Sequence, residues 1–161
     1  MKYCYECGTR LTEKALENEG NIPYCEKCME YRFPIFSTAV SMIVENPDKT
    51  KILLIQQYGR KNNILVAGYI NKGESAENAV VREVMEETGL KVTDITFNKS
   101  EYFGKSNTLM LNFSCRVENE SLEHLNKDEV DKAQWFTHEQ ACEKIKPDSL
   151  AKKFLLHYLG K

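Results

Sequence analysis

No stretch of this 161-residue chain is apolar for long enough to span a bilayer. Its first residues, MKYCYECG, lack the apolar core of a secretory signal. Those two absences set the expectation of a cytoplasmic protein with no membrane contact. An excess of one charge is missing too. With 22 basic and 24 acidic residues the formal net charge is −2, so no bulk field draws nucleic acid or an anionic surface. No internal repeat or low-complexity tract appears. What remains is 42% hydrophobic and 29% charged, an ordinary composition for one domain with a proper core plus a small appendage.

Cysteine is not scarce, but its spacing lacks the look of a disulfide framework. Four of the six fall in a C-x2-C-x17-C-x2-C arrangement, Cys4, Cys7, Cys25 and Cys28, while Cys115 and Cys142 stand alone. Paired knuckles of this kind supply four thiolates, a closed tetrahedral set for structural Zn²⁺ with no open position for catalysis. A redox pair would leave the second knuckle unexplained. Thr9 to Leu16 and Ile22 to Tyr24 read as short strands around the turn Asn18-Glu19-Gly20-Asn21. So few large apolar residues surround them that metal must supply much of the folding free energy. Over residues 1–30, Lys2, Arg10, Lys14 and Lys27 face Glu6, Glu13, Glu17, Glu19, Glu26 and Glu30, an acidic balance that would repel phosphates. A scaffolding or dimerising ribbon is expected, rather than one that binds nucleic acid.

Glu30 to Phe36 reads as a linker, since Pro34 rules out a central strand. Phe36 to Val44 and Lys51 to Gln57 follow as strands around Asn46-Pro47-Asp48, and Ile64 to Ile70 leads into a helix. Beyond it, Lys91 to Phe103, Thr108 to Val117 and a short Ala133 to Phe136 read as strands. Thr137 or Asp148 caps final helices over Glu139 to Ile145 and Ser149 to Tyr158. Strands, a helix, more strands, then helices imply an α+β fold with a mixed sheet between helical layers.

The central helix carries the chemistry. In Arg82-Glu83-Val84-Met85-Glu86-Glu87-Thr88-Gly89-Leu90, a spacing of ~100° per residue puts Glu83, Glu86 and Glu87 within an arc of roughly 100°. Val81, Val84, Met85 and Thr88 form the opposite, core-facing side. Alone, such a face is as readily a solvated surface. Three carboxylates this close repel unless a cation sits among them, and hard oxygen ligands suit Mg²⁺ or Mn²⁺. Ser75 is a plausible N-cap, and Gly73 permits the turn into the helix.

Gly68, Glu74, Arg82, Glu83, Glu86, Glu87 and Gly89, with apolar Val84 and Leu90, reproduce G-x5-E-x7-R-E-U-x-E-E-x-G-U. Every fixed position matches, and the chain resembles the Nudix hydrolase family. The resemblance implies an α/β/α sandwich over residues 33–161 behind a zinc ribbon over 1–32. It implies metal held by Glu83, Glu86, Glu87 and the Gly68 carbonyl, with Arg82 fixing a box carboxylate. It also implies hydrolysis of a nucleoside diphosphate linked to another moiety. The base is a box glutamate or a downstream acid; Glu129 is the downstream candidate, as a further metal ligand or as the base, with Asp128 and Asp131 as rivals.

A four-cysteine ribbon ahead of such a domain resembles the NADH pyrophosphatase branch. So does the opening Leu65-Val66-Ala67-Gly68-Tyr69-Ile70, and so do Ala133, Trp135 and Phe136 after Glu129. That branch carries S-Q-P-W-P-F-P-x-S after the box; here Ser100 to Thr108 keeps the ends and a Phe103, but none of the three prolines. The implied reaction is NAD(H) to NMN(H) and AMP. ADP-ribose or another nucleoside diphosphate derivative stays open as substrate, as does a non-catalytic ligand sensor. Tyr69, Tyr102 and Phe103 are candidates to stack a base, and Lys105 to meet a phosphate. The expected partners are a small dinucleotide, with NAD-capped RNA left open, and a second copy in a homodimer.

Overall fold

Two units make up the computed structural model, Met1–Phe36 and Ser37–Lys161, and all 161 residues are described. In the first unit β1 (Thr12–Leu16), β2 (Gly20–Cys25) and β3 (Glu30–Tyr31) form an antiparallel sheet in that order. Asn18 (φ 66°) and Gly20 (φ 79°) take left-handed backbone at the β1–β2 turn, which Asn and Gly tolerate best. β1 begins at Thr12 rather than Thr9. The residues before it wrap the first knuckle instead, with Cys4 N–H donating to Thr9 O (2.8 Å) and Gly8 N–H to Cys4 O (2.9 Å). β3 falls inside the expected linker. It forms because Tyr31 packs edge-on against Tyr24, ring centroids 5.1 Å apart, and Arg32 N–H reaches Pro23 O at 2.7 Å. Only Cys4, Tyr24, Cys25 and Arg32 are buried in this unit, so it has the ribbon form expected of a four-cysteine zinc unit and almost no apolar core.

The second unit contains β4 (Ser37–Glu45), β5 (Lys51–Gln57), β6 (Val66–Tyr69), α1 (Ala76–Thr88), β7 (Val92–Phe103) and β8 (Thr108–Val117). It ends with β9 (Val130–Thr137), α2 (His138–Lys144) and α3 (Leu150–Tyr158). The sheet runs β7-β8-β4-β5-β9 with β6 also on β4; β4 and β8 are parallel and the remaining pairs antiparallel. β4 is a nearly unbroken buried run because both faces are covered. Val40, Met42 and Val44 pack with Leu53 and Ile55 under Ala79, Val80 and Val84 of α1. Ile43, Ile52 and Leu54 pack under Ala141 of α2, Ile145 just after it, and Phe154 and Leu155 of α3. The expected α/β/α sandwich with a mixed sheet is therefore the fold.

Local signals explain most boundaries. Ser75 accepts from Asn78 N–H at the start of α1, and Gly89 (φ 71°) ends it with an N–H to Met85 O. Thr137 caps α2 in a reciprocal box with Gln140. For α3 the cap is Ser149, since Asp148 sits in left-handed backbone (φ 50°). β9 starts three residues before Ala133 because buried Val130 pairs with Gln57 across a register shift.

The rotation of α1 differs from the expected one. Ala79, Val80, Val84, Glu87 and Thr88 are buried, whereas Val81 and Met85 are exposed. Helix periodicity places Glu87 within the buried arc rather than opposite it. Packing of Ala79, Val80 and Val84 on the β4 and β5 core sets that rotation. It brings the Glu83 carboxylate against the Gly68 backbone, where an added Cβ would lie 1.9 Å from the carboxyl carbon.

Candidate functional site

β4 and β5 pair only at Glu45↔Ile52 and then part, while β6 takes the vacated edge of β4 from Ala39 to Met42. The gap opens a cavity of about 460 Å³, within the size range of small-ligand sites. Gly68 and Tyr69 of β6, Arg82, Glu83 and Glu87 of α1, Gln57 at the end of β5 with Tyr58 after it, and Glu129 before β9 line it. Ser106, Thr108 and Met110 line it from the β7–β8 hairpin.

Arg82 organises the carboxylates. Its Nε and Nη2 donate to the two oxygens of Glu74 at 2.7 and 2.9 Å. Nη1 donates to Glu83 Oε1 at 2.6 Å and Glu86 Oε2 at 3.0 Å, and Nη2 also reaches Tyr69 O at 2.9 Å. All five guanidinium donor positions thus face acceptors inside the protein. The Arg82 bonds, with one from Asn71 N–H, hold the Glu74 carboxyl down at about 2. Glu74 is thereby a fixed anion that anchors the arginine.

Glu87 is the opposite case. Only 3% exposed, it accepts from Gln57 Nε2 at 2.9 Å through Oε1, while Oε2 is buried with no hydrogen-bond partner. Burial pushes its carboxyl up to about 7; Gln57 opposes the shift, and the charges of Glu83, Glu129 and Glu86 add to it. An unpartnered carboxylate oxygen in an acidic cleft costs free energy unless a cation meets it. These hard oxygen donors fit Mg²⁺ or Mn²⁺.

The other predicted residues divide. Glu83 and Glu129 line the cleft, and Glu86 lies exposed beside it on Arg82. Among the rivals of Glu129, Asp131 is engaged by Gly59 N–H at 2.7 Å, and Asp128 does not line the cavity. Tyr69 lines it, but Tyr102, Phe103 and Lys105 do not. Tyr102 pairs across the hairpin with Leu109, on the opposite sheet face from cleft-lining Thr108 and Met110, and its hydroxyl donates to Asn107 Oδ1. Gln57 is the main residue that sequence reasoning missed. Its only signal is the polar pair Gln56-Gln57 closing the apolar run of β5.

In the ribbon, all four cysteine sulfurs lie within 4.8 Å of one another, with Cys7–Cys25 at 3.5 Å and Cys4–Cys28 at 3.9 Å, and none is in a disulfide. Buried Arg32, also unforeseen, donates from Nε to Cys4 Sγ at 3.3 Å. Its Nη1 meets Glu30 at 2.5 Å and its Nη2 meets Glu6 at 2.8 Å. The soft, tetrahedral-ready donor set is one that can hold Zn²⁺.

Comparison with known proteins adds three findings. Residues 36–158 match the family model of the NUDIX domain. The chain is 30% identical over 137 residues to the NAD-capped RNA hydrolase NudC of Pseudomonas aeruginosa and 26% identical over 161 residues to that of Haemophilus influenzae. Those alignments cover 84% and 97% of this chain but only 48% and 59% of the two relatives, so the chain spans about half their length. A crystal structure of a NUDIX hydrolase from Nitrosomonas europaea superposes with a TM-score of 0.65 at 18% identity, covering 99% of this chain and 91% of that one.

Proposed function

The chain belongs to the Nudix family, and on that premise we propose that it is a divalent-cation-dependent hydrolase that cuts the diphosphate of a dinucleotide, converting NAD(H) to NMN(H) and AMP. The observation that carries this reading is Glu87, whose buried, unpartnered oxygen lies in the cleft beside Glu83. Glu83, Glu86, Glu87 and Glu129, with the Gly68 carbonyl, are the proposed Mg²⁺ or Mn²⁺ ligands. When bound, the ions supply the positive charge that offsets the diphosphate and polarises its P–O bonds.

The residues of the chain do the rest. Arg82 fixes Glu83 and Glu86 in single rotamers, and Gln57 aims the Glu87 carboxylate. Water forms a new bond to one phosphorus as the bond from that phosphorus to the bridging oxygen breaks. The leaving phosphate keeps the electron pair, and a cleft carboxylate not engaged by the ions, Glu129 or a box glutamate, accepts the proton lost by water. Tyr69, which lines the cleft, is the proposed side chain to pack against substrate. We further propose that Cys4, Cys7, Cys25 and Cys28 hold a structural Zn²⁺, and that two copies associate as a dimer.

The names of the P. aeruginosa and H. influenzae relatives favour an NAD moiety. The missing prolines between Ser100 and Thr108, and a Tyr102 turned to the sheet face away from the cleft, favour ADP-ribose as a second reading. A Mg²⁺-containing assay across NADH, NAD⁺, ADP-ribose and NAD-capped RNA decides. AMP release from NADH above all others is the expected result. Preference for ADP-ribose would replace the substrate assignment, and turnover of none would favour a ligand sensor.

A further inference from the structure

The cleft is poor in cations for an anionic substrate. Arg82 is the lining cation, and its donors are all engaged by Glu74, Glu83, Glu86 and Tyr69 O. Next to the cleft lies a second cavity of about 120 Å³ that shares Gln57 and Tyr58 with it as a common wall. Arg60 and Lys146 line that cavity, with Asn62 and Ile64. Both cations are exposed and neither takes part in an ion pair. The loop's neighbouring carboxylate, Asp131, is occupied by Gly59 N–H.

The cavity is built rather than incidental. Lys146 N–H donates to Asn63 O at 2.8 Å, Asn63 Nδ2 donates to Lys144 O at 3.0 Å, and Gln56 Nε2 holds Asn63 Oδ1 at 2.9 Å. These bonds tie the segment after α2 to the loop after β5, and Arg60 N–H donates to Gln57 O at 3.1 Å, so the backbones that carry Lys146 and Arg60 are held on two sides of the cavity. The space is well under the ~300–1,000 Å³ of a whole-ligand pocket and suits a single phosphate group. Two cations with no acidic lining residue favour an anion there.

We propose that this cavity is an anion subsite for a further phosphate on the substrate, carried by a ribose and lying outside the scissile diphosphate, bound by Arg60 and Lys146. The placement of its substrate rests on the hydrolase reading of the adjoining cleft, but its binding chemistry does not need turnover. A phosphate of this kind has two sources: a 2′-phosphate on a free dinucleotide, or the 3′-phosphate at which a polynucleotide continues.

Titration calorimetry of the full chain at low salt, with AMP, adenosine 2′,5′-bisphosphate and adenosine 3′,5′-bisphosphate as probes, tests the subsite. One bisphosphate should bind about tenfold more tightly than AMP, in line with one or two charge-assisted hydrogen bonds. The advantage should vanish in Arg60→Gln/Lys146→Gln and largely return in Arg60→Lys/Lys146→Arg, with AMP affinity unchanged in both. A 2′ preference identifies the free dinucleotide as the source, and a 3′ preference identifies the polynucleotide. Bisphosphates that bind no better than AMP, or an advantage that survives the double Gln variant, would overturn the proposal. A bisphosphate preference with no hydrolysis of any dinucleotide would sink the hydrolase reading and leave the subsite standing.

Discussion

Four sulfurs in the ribbon come within 4.8 Å of one another, whereas the carboxylates around α1 form no cluster of that closeness, and an arginine contacts each set. Arg32 touches one prospective ligand, Cys4, and is itself held by Glu6 and Glu30. Arg82 touches Glu83 and Glu86 directly and is held by Glu74. The ribbon therefore gathers its ligands around a closed point, as a structural site requires. The carboxylates Glu83, Glu87 and Glu129 instead line an open cavity of about 460 Å³, with room for a ligand beside them. The ribbon also has almost no apolar core, while α1 is set on one of the two main core clusters.

The largest expected effect breaks this contrast at the ribbon. Chelating the proposed Zn²⁺ should unfold residues 1–36, because structural zinc contributes on the order of 10 kcal/mol and little else holds this unit. The second unit should stay folded and keep its Mg²⁺ affinity. Limited proteolysis with Mg²⁺ titration reads both. Loss of hydrolysis with the ribbon still folded would mean that the zinc is not merely structural.

Next in size is Glu87→Gln. Removing a proposed ligand should lower kcat by roughly 10²–10³-fold, about 3–4 kcal/mol of transition-state stabilisation. Stability should move the other way. The Glu87 carboxyl is raised from 4.5 to about 7, chiefly by burial, so the folded state favours its protonated form. That contribution is fully present below pH 4.5 and is lost as pH rises through about 7. In metal-free solution at pH 8 the buried charge costs about 3 kcal/mol, and Glu87→Gln should melt higher than the parent protein. Added Mg²⁺ should erase the difference. A variant less stable than the parent at pH 8 without metal would show that Glu87 is not a strained ligand.

A smaller effect is expected at Gly68→Ala. Gly68 does not have positive φ, so alanine fits its backbone, but the new Cβ would lie 1.9 Å from the Glu83 carboxyl carbon. Glu83 must swing away. Activity should fall about ten- to a hundredfold through that one carboxylate, at a stability cost under about 2 kcal/mol. Unchanged Mg²⁺ dependence would remove Glu83 from the ligand set.

The same contrast governs how far the sequence was legible. Local chemistry was readable: two CxxC knuckles, the Ser75 and Thr137 caps, the Gly89 stop and the box spacing each follow from short-range rules. The rotation of α1 was not, because it depends on how Ala79, Val80 and Val84 pack against strands distant in sequence. Nor was the role of Gln57, which depends on β5 ending beside Glu87. The hairpin from Ser100 to Thr108 offered aromatics by composition, but strand alternation turned Tyr102 away from the cleft. Arg32 lay in a segment that looked like a linker, since its pairing partner, Pro23, is distant in sequence.

Arg32 sharpens the comparison most finely. Its Nε donates to Cys4 Sγ, its two Nη groups meet Glu30 and Glu6, and the guanidinium lies 4.9 Å from the centre of the Tyr5 ring. Four thiolates around Zn²⁺ carry excess negative charge, and a donor aimed at one sulfur stabilises it in the ligating state. Glu6 and Glu30 fix the direction of that donor. Arg32→Met should speed zinc transfer to a colorimetric chelator by about tenfold, the lower end expected for losing an outer partner of a metal ligand. Arg32→Lys keeps the charge but not the planar fork, so its rate should fall between the two. If lysine matched arginine, charge alone would matter and the geometry around Cys4 would not. Equal rates for methionine and arginine would make Arg32 a packing residue, and the likeness between the two arginines would then be one of position only.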